Sequence, residues 1–402
     1  MNVGSSAKSH KVAMRVMVVA VFAVMVGFAA TGSIRAASPY SVVATIATGN
    51  SPSGIALNSV NNTLYVADLG DNNVTLIHGS TNLPFANFSV GHGPDAVAVN
   101  PTTGTVYVAD STDGNVTILN SANHDIANVT VGQDPIAIVY DPLNGHVYVA
   151  NYLDNTLSVI NTATNKVIGT IATGYSPDAV AVSPISGKIY VADASDNNVT
   201  VISSSDKPVV NVTVGDEPSA LAVNSNTGDV YVANLYGNDV SVISGTTNQV
   251  TGTLPSGNGP NALAVLPSSN ILYVSDSLDN NVTVVSLTSS TTLANLTVGS
   301  DPVALLLNSP TGQLYVVNEY EASVSVIQGP QGTQSTTSTS HSSKSTTTTT
   351  TTTPTSTTPT SSTGGSGIPE FPVQLSIVSA VAAAMVVTYI VTRRVSDSAD
   401  RR

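Results

Sequence analysis

Two short signatures recur in step along this chain, and they constrain its fold more than anything else in it. A tyrosine opening a Tyr-Val-Ala-Asp-like tetrapeptide stands at Tyr65, Tyr107, Tyr148, Tyr190, Tyr231, Tyr273 and Tyr315. A Gly-x-x-Pro ends at Pro52, Pro94, Pro135, Pro177, Pro218, Pro260 and Pro302. Each occurs seven times, its six steps all 41 or 42 residues long. Self-similarity at that period means one supersecondary unit packed against copies of itself.

Each unit reads as four short strands. After Pro94 comes Ala96-Val-Ala-Val99, then a Pro101-Thr-Thr-Gly104 turn and Val106-Tyr-Val-Ala109. A polar turn leads to Val116-Thr-Ile-Leu119, and Ile126-Ala-Asn-Val-Thr-Val131 completes the unit. β-rich runs between turn residues mark strands, and four of them in about 42 residues make a propeller blade. The second residue after each proline is Gly54, Ala96, Ala137, Ala179, Ala220, Ala262 or Ala304. Only small side chains fit where innermost strands crowd an axis, a demand that a β-helix does not make. The array starts with a spare fourth-type strand, Val42-Val-Ala-Thr-Ile46, and its last unit lacks one after Ile327. The fold class predicted is therefore all-β: a seven-bladed propeller over 41–328, its last blade closed by the N-terminal strand, which removes an exposed edge.

Tyr65-Val-Ala-Asp68, Tyr148-Val-Ala-Asn151 and their kin, with Gly-x-x-Pro and Ala-Val-Ala-Val, resemble the YVTN family of β-propeller repeats across about 41–327. The third motif position is Ala, Ser or Val rather than Thr. The resemblance implies an extracytoplasmic seven-bladed propeller of a kind frequent on archaeal surfaces, and no single shared activity. Ile368-Pro-Glu-Phe-Pro372 is similar to archaeal C-terminal sorting signals. That similarity implies cleavage by a sortase-like enzyme and replacement of the helix by a lipid.

The flanks read as membrane signals. Lys8, Lys11 and Arg15 precede the apolar run Val16 to Ala30 and then small residues, the pattern of a secretory signal peptide over 1–37; an uncleaved anchor is the alternative. Residues 329–367 are a Ser/Thr/Pro-rich stretch expected to be a disordered, O-glycosylated stalk. Residues 371–392 carry no charge and are long enough for a transmembrane helix; the basic tail 393–402 places that end in the cytoplasm. The expectation is a membrane-anchored protein with its propeller outside the cell.

Composition narrows the chemistry. With no cysteine there is no disulfide framework, thiolate metal site or thiol nucleophile. A formal charge of −13 argues against nucleic acid as a partner. The propeller span holds three lysines, Lys166, Lys188 and Lys207, against 22 carboxylates. Strand alternation puts the Gly-x-x-Pro loops and the loops after the Tyr strands on one face, here the first face. It carries 18 of the 25 acids, and the lysines fall on the opposite, second face. Turn chemistry explains repeated Asp and Asn, which close turns on nearby backbone N–H groups. Clustered carboxylates also suit Ca²⁺, with Asp68, Asp110, Asp193 and Asp276 as weak candidates; no other cofactor is indicated.

The variable first-face positions suggest ligand contacts. Tyr152, Tyr236 and Tyr320 follow the motif in blades three, five and seven, where Asn151, Asn234 and Asn318 replace Asp. Tyr175 and His92 lie in Gly-x-x-Pro loops. These eight residues are the candidates for binding a surface protein or glycan. The remaining propeller histidines, His78, His124 and His146, fall near the second face and read as surface residues. Nine Asn-x-Ser/Thr sequons are glycosylation candidates: Asn61, Asn73, Asn87, Asn115, Asn128, Asn198, Asn211, Asn281 and Asn295. No nucleophile elbow or phosphate loop is present. The reading that follows is a non-enzymatic cell-surface binding or structural propeller displayed on a stalk, its acidic, Tyr-bearing face turned away from the membrane to engage a protein, glycan or cations. The alternative is a metal-dependent, lactonase-like hydrolase using the acidic face.

Overall fold

The computed structural model describes residues 39–329, apart from 123 and 310. Twenty-eight strands form seven four-stranded sheets, each antiparallel. Blade 1 shows the plan, with inner strand Pro52–Asn58, second strand Thr63–Asp68, third strand Asn73–His78 and outer strand Leu83–Ser89. Blades 2 to 6 repeat it over 94–130, 135–172, 177–213, 218–255 and 260–297. In blade 7 the inner, second and third strands are Pro302–Asn308, Gln313–Asn318 and Ser323–Gln328. Its outer strand is the N-terminal Ser41–Ala47, paired antiparallel with Ser323–Gln328, so the ring closes as the repeat count requires.

Proline opens every inner strand, where a missing N–H costs no ladder bond. In all seven blades the register shifts immediately after it, leaving the next residue bulged. The small residue that follows is crowded: a Cβ on Gly54 would lie 2.7 Å from the carbonyl oxygen of Asp95 on the next blade.

The core is seven separate clusters, one at each blade interface. Between blades 1 and 2, Tyr65, Val74 and Leu76 pack on Val97, Val106, Val108 and Leu119. Between blades 7 and 1, Tyr315, Val317 and Val326 meet Leu64, Val66 and Ile77. Second and third strands are buried on both faces, which is why they read as unbroken apolar runs. Each buried Val, Leu or Ile there contributes roughly 1.5–3 kcal/mol.

Among the described residues no helix is long and apolar enough to cross a membrane. The signal segment 1–37, the stalk after 329, the span 371–392 and the tail 393–402 lie outside the described residues.

Candidate functional site

The first face is a belt of side chains bound to backbone. The fourth residue of each Tyr motif is fully buried and lies against the glycine of Gly-x-x-Pro. Asp276 accepts a hydrogen bond from the Gly257 N–H at 2.8 Å, and Asn151 and Asn234 accept from Gly132 and Gly215 at 3.0 and 3.2 Å. That contact explains the glycine: a Cβ on Gly91 would sit 2.5 Å from the Asp110 carboxyl carbon. A second tier caps the following residue of the loop. Asp71, Asp113, Asp154, Asp196 and Asp279 accept from the N–H groups of Asn50, His92, Gln133, Tyr175 and Asn258 at 2.7–2.8 Å. A third tier links blades. Asn72, Asn155, Asn197, Asn238 and Asn280, all at φ 53–56°, accept from N–H groups of the loop entering the next blade.

The motif acid also heads a ladder across three strands. In blades 1, 2, 4 and 6 a threonine hydroxyl of the third strand donates to the aspartate, in the pairs Thr75–Asp68, Thr117–Asp110, Thr200–Asp193 and Thr283–Asp276, at 2.5–2.6 Å. Opposite those threonines on the outer strands stand Asn87, Asn128, Asn211 and Asn295. In blades 3, 5 and 7 the motif residue is asparagine, donating to Ser158, Ser241 or Ser325 at 2.9–3.0 Å. The outer-strand partner is then Thr170, Thr253 or Thr45. Every blade thus carries Asp–Thr–Asn or Asn–Ser–Thr. Reading the motif alone misses this; aligning the seven repeats and comparing columns would have shown it.

Burial pushes the carboxyls of Asp68, Asp110 and Asp276 up to about 6 and that of Asp193 to about 7, against the threonine and glycine hydrogen bonds, which pull them down. The exposed caps behave oppositely: backbone N–H groups of His92 and Asn258 hold Asp113 and Asp279 below the ordinary range.

The eight ligand candidates are dispersed. Asn151, Asn234 and Asn318 have no exposure at all and belong to the ladders, so they present nothing to a ligand. Tyr236 and Tyr320 are exposed on blades 5 and 7 and Tyr175 on the loop into blade 4, whereas Tyr152 is half-buried. His92 is exposed, its Nδ1 3.1 Å from Asp113. The four calcium candidates sit in four separate blades, each bound to its own threonine. Among the described residues no three His, Asp or Glu side chains gather to hold a metal ion. Of the sequons, Asn61 lies in an exposed turn. Asn73, Asn115, Asn198 and Asn281 open third strands, half-buried, and the other four are the outer-strand ladder members.

Near the second face, an apolar recess of about 390 Å³ opens on the axis. Its walls are Val139, Tyr140 and Pro142 of blade 3, Val180, Val182 and Pro184 of blade 4, and Leu221 and Val223 of blade 5. Inner strands pair on one edge only, so their other edges offer unpaired backbone N–H and C=O groups to the axis. Apolar walls with fixed polar groups are the usual make-up of a small-molecule site.

A closed wheel of seven four-stranded blades defines a seven-bladed propeller. The family profile described as "Lactonase, 7-bladed beta-propeller" matches residues 83–301, more than half of the chain. The chain belongs to that family. No curated protein sequence matches it. Among solved structures it is similar to hydrazine synthase from Kuenenia stuttgartiensis, at 21% identity and a TM-score of 0.61, over 69% of this chain and 95% of that one. At that identity the likeness shows the fold.

The family overturns the expectation of a non-enzymatic binding propeller and favours the hydrolase alternative. A hydrolytic site needs a polarised carbonyl and an activated water, and a propeller can assemble both from different blades. Residues so gathered are far apart in sequence and leave no linear motif.

Proposed function

We propose that this propeller hydrolyses small lactones or related cyclic esters in the axial recess. The observation behind this reading is membership of the lactonase propeller family. The recess agrees with it: it is sized for a small ring with an alkyl substituent. Unpaired N–H groups on the inner strand edges are donors for an ester carbonyl oxygen as it gains charge. The motif aspartates each accept from a threonine of their own blade, in four separate blades, and no step is routed through a metal.

The test is titration of acid release by the full-length protein over γ- and δ-lactones of increasing alkyl length. KM should fall roughly three- to fourfold per added methylene until the recess fills. Leu221→Trp, which occupies the recess, should raise KM about tenfold. Absence of turnover across the panel would discard the reading.

Three expectations stand as proposals that rest on the sequence. The repeats are of YVTN type, the propeller is exported, and the 371–392 span holds it to a membrane. Labelling of intact cells with a membrane-impermeant reagent tests the last two together.

A further inference from the structure

The nine sequons stop being equivalent once the chain is folded, and the repeat supplies the control that sorts them. One outer-strand column holds Asn87, Asn128, Asn211 and Asn295 in blades 1, 2, 4 and 6, and Thr170, Thr253 and Thr45 in blades 3, 5 and 7. Two residues after each asparagine comes a hydroxyl, at Ser89, Thr130, Thr213 or Thr297. Two residues after each threonine comes none, the residues being Ala172, Pro255 and Ala47. The ladders explain the asparagine but not the hydroxyl that travels with it. The four asparagines and the four hydroxyl residues are all exposed. Among the described residues no hydrogen bond employs those four hydroxyls. Side chains two apart on a strand share a face. Each Asn and its hydroxyl are therefore presented together on the rim, while the residues between them, Phe88, Val129, Val212 and Leu296, pack into the blade interfaces. The fold closes the other five sequons. Asn73, Asn115, Asn198 and Asn281 are half-buried, with Oδ1 shut off from solvent. Their threonines, Thr75, Thr117, Thr200 and Thr283, are the buried donors to the motif aspartates. Asn61 is tied at its amide: Oδ1 accepts from the Thr63 N–H at 3.1 Å, and the side chain hydrogen-bonds the Tyr65 phenol.

We propose that Asn87, Asn128, Asn211 and Asn295 are N-glycosylation sites and that the folded ring leaves the other five sequons bare. The inference stands apart from the lactone reading and requires only the export proposed above. The donor is a lipid-linked sugar phosphate. The bond from the sugar's anomeric carbon to the phosphate oxygen breaks, and that carbon bonds to the asparagine Nδ2. Nδ2 gives up one proton, which the released phosphate takes. The hydroxyl two residues on completes the acceptor motif. A modified amide keeps its oxygen and one N–H, so each asparagine remains a member of its ladder. The four sugars project from the rim of blades 1, 2, 4 and 6 and leave both faces and the axial recess open.

The test is glycopeptide mass spectrometry on the full-length protein taken from the cells that make it, with fragmentation that locates each sugar on its residue. Asn87, Asn128, Asn211 and Asn295 should carry sugar mass, and Asn61, Asn73, Asn115, Asn198 and Asn281 should not. Thr213→Ala should strip Asn211 alone, and Thr213→Ser should keep it modified. Alanine is what blades 3 and 7 hold at that position, Ala172 and Ala47, so the variant should keep the wild-type melting temperature within a few degrees. An asparagine that served only its ladder would show no dependence on that hydroxyl. Bare rim asparagines in the native protein, exported or not, overturn the inference. Sugars on the third-strand asparagines at matching occupancy overturn the selection by the fold. Neither result touches the hydrolase reading, which the lactone panel decides separately.

Discussion

Single residues set the tolerances of the first face. The Gly-x-x-Pro glycine lies so close to the motif carboxyl or amide that a methyl group cannot be added without displacing it. Gly91→Ala should cost about 2 kcal/mol in urea unfolding, because the Asp110 carboxyl to be moved is itself pinned by Thr117. The same carboxyls fix how stability varies with pH. For Asp68, Asp110, Asp193 and Asp276 the folded-state pKa is raised to about 6 or 7 over an unfolded value near 3.9. Between those values the unfolded chain releases its proton first, so their contribution favours the fold in acid and is lost as pH rises through about 4 to 7. Asp113 and Asp279, with depressed values, act the other way, and their contribution is lost as pH falls below about 4. The melting temperature should therefore peak near pH 4–5 and fall by several degrees toward pH 7.5, as scanning calorimetry can show.

At the scale of strands, the two ladders are alternatives rather than variations. Aspartate only accepts, so it meets a threonine hydroxyl that donates; asparagine donates through its amide to a serine oxygen. Asp193→Asn alone should destabilise blade 4 by about 1 kcal/mol, since the Thr200 hydroxyl loses the carboxylate it donates to at 2.6 Å and meets an amide instead. Adding Thr200→Ser and Asn211→Thr should recover that loss and remove blade 4's share of the pH dependence, a coupling that a mutant cycle in urea measures. Much of this scale was legible beforehand. Tyr and Pro spacing fixed blade number and strand order, because each strand's burial is local and periodic. Val42 to Ile46 announced the closing strand by lacking a unit of its own. Site residues were not legible for a corresponding reason. Asn151, Asn234 and Asn318 stood out as departures from Asp, yet they serve the ladders.

For the whole molecule, the decisive feature is that hydrophobic burial is divided among seven interfaces and each blade depends on two neighbours. Removing the strand Ser41–Ala47 exposes the edge of Ser323–Gln328 and uncovers the cluster between blades 7 and 1. A chain lacking residues up to Ala47 should lose its cooperative unfolding transition and self-associate, as urea titration and size-exclusion chromatography would report. The same arrangement has a consequence for synthesis. Of the propeller's strands, a polypeptide leaving the ribosome releases the fastening one first and its partner last. Until nearly the entire ring has been made, the earliest sticky edge waits unmatched, so a pause or a premature stop anywhere downstream leaves every finished blade without its clasp.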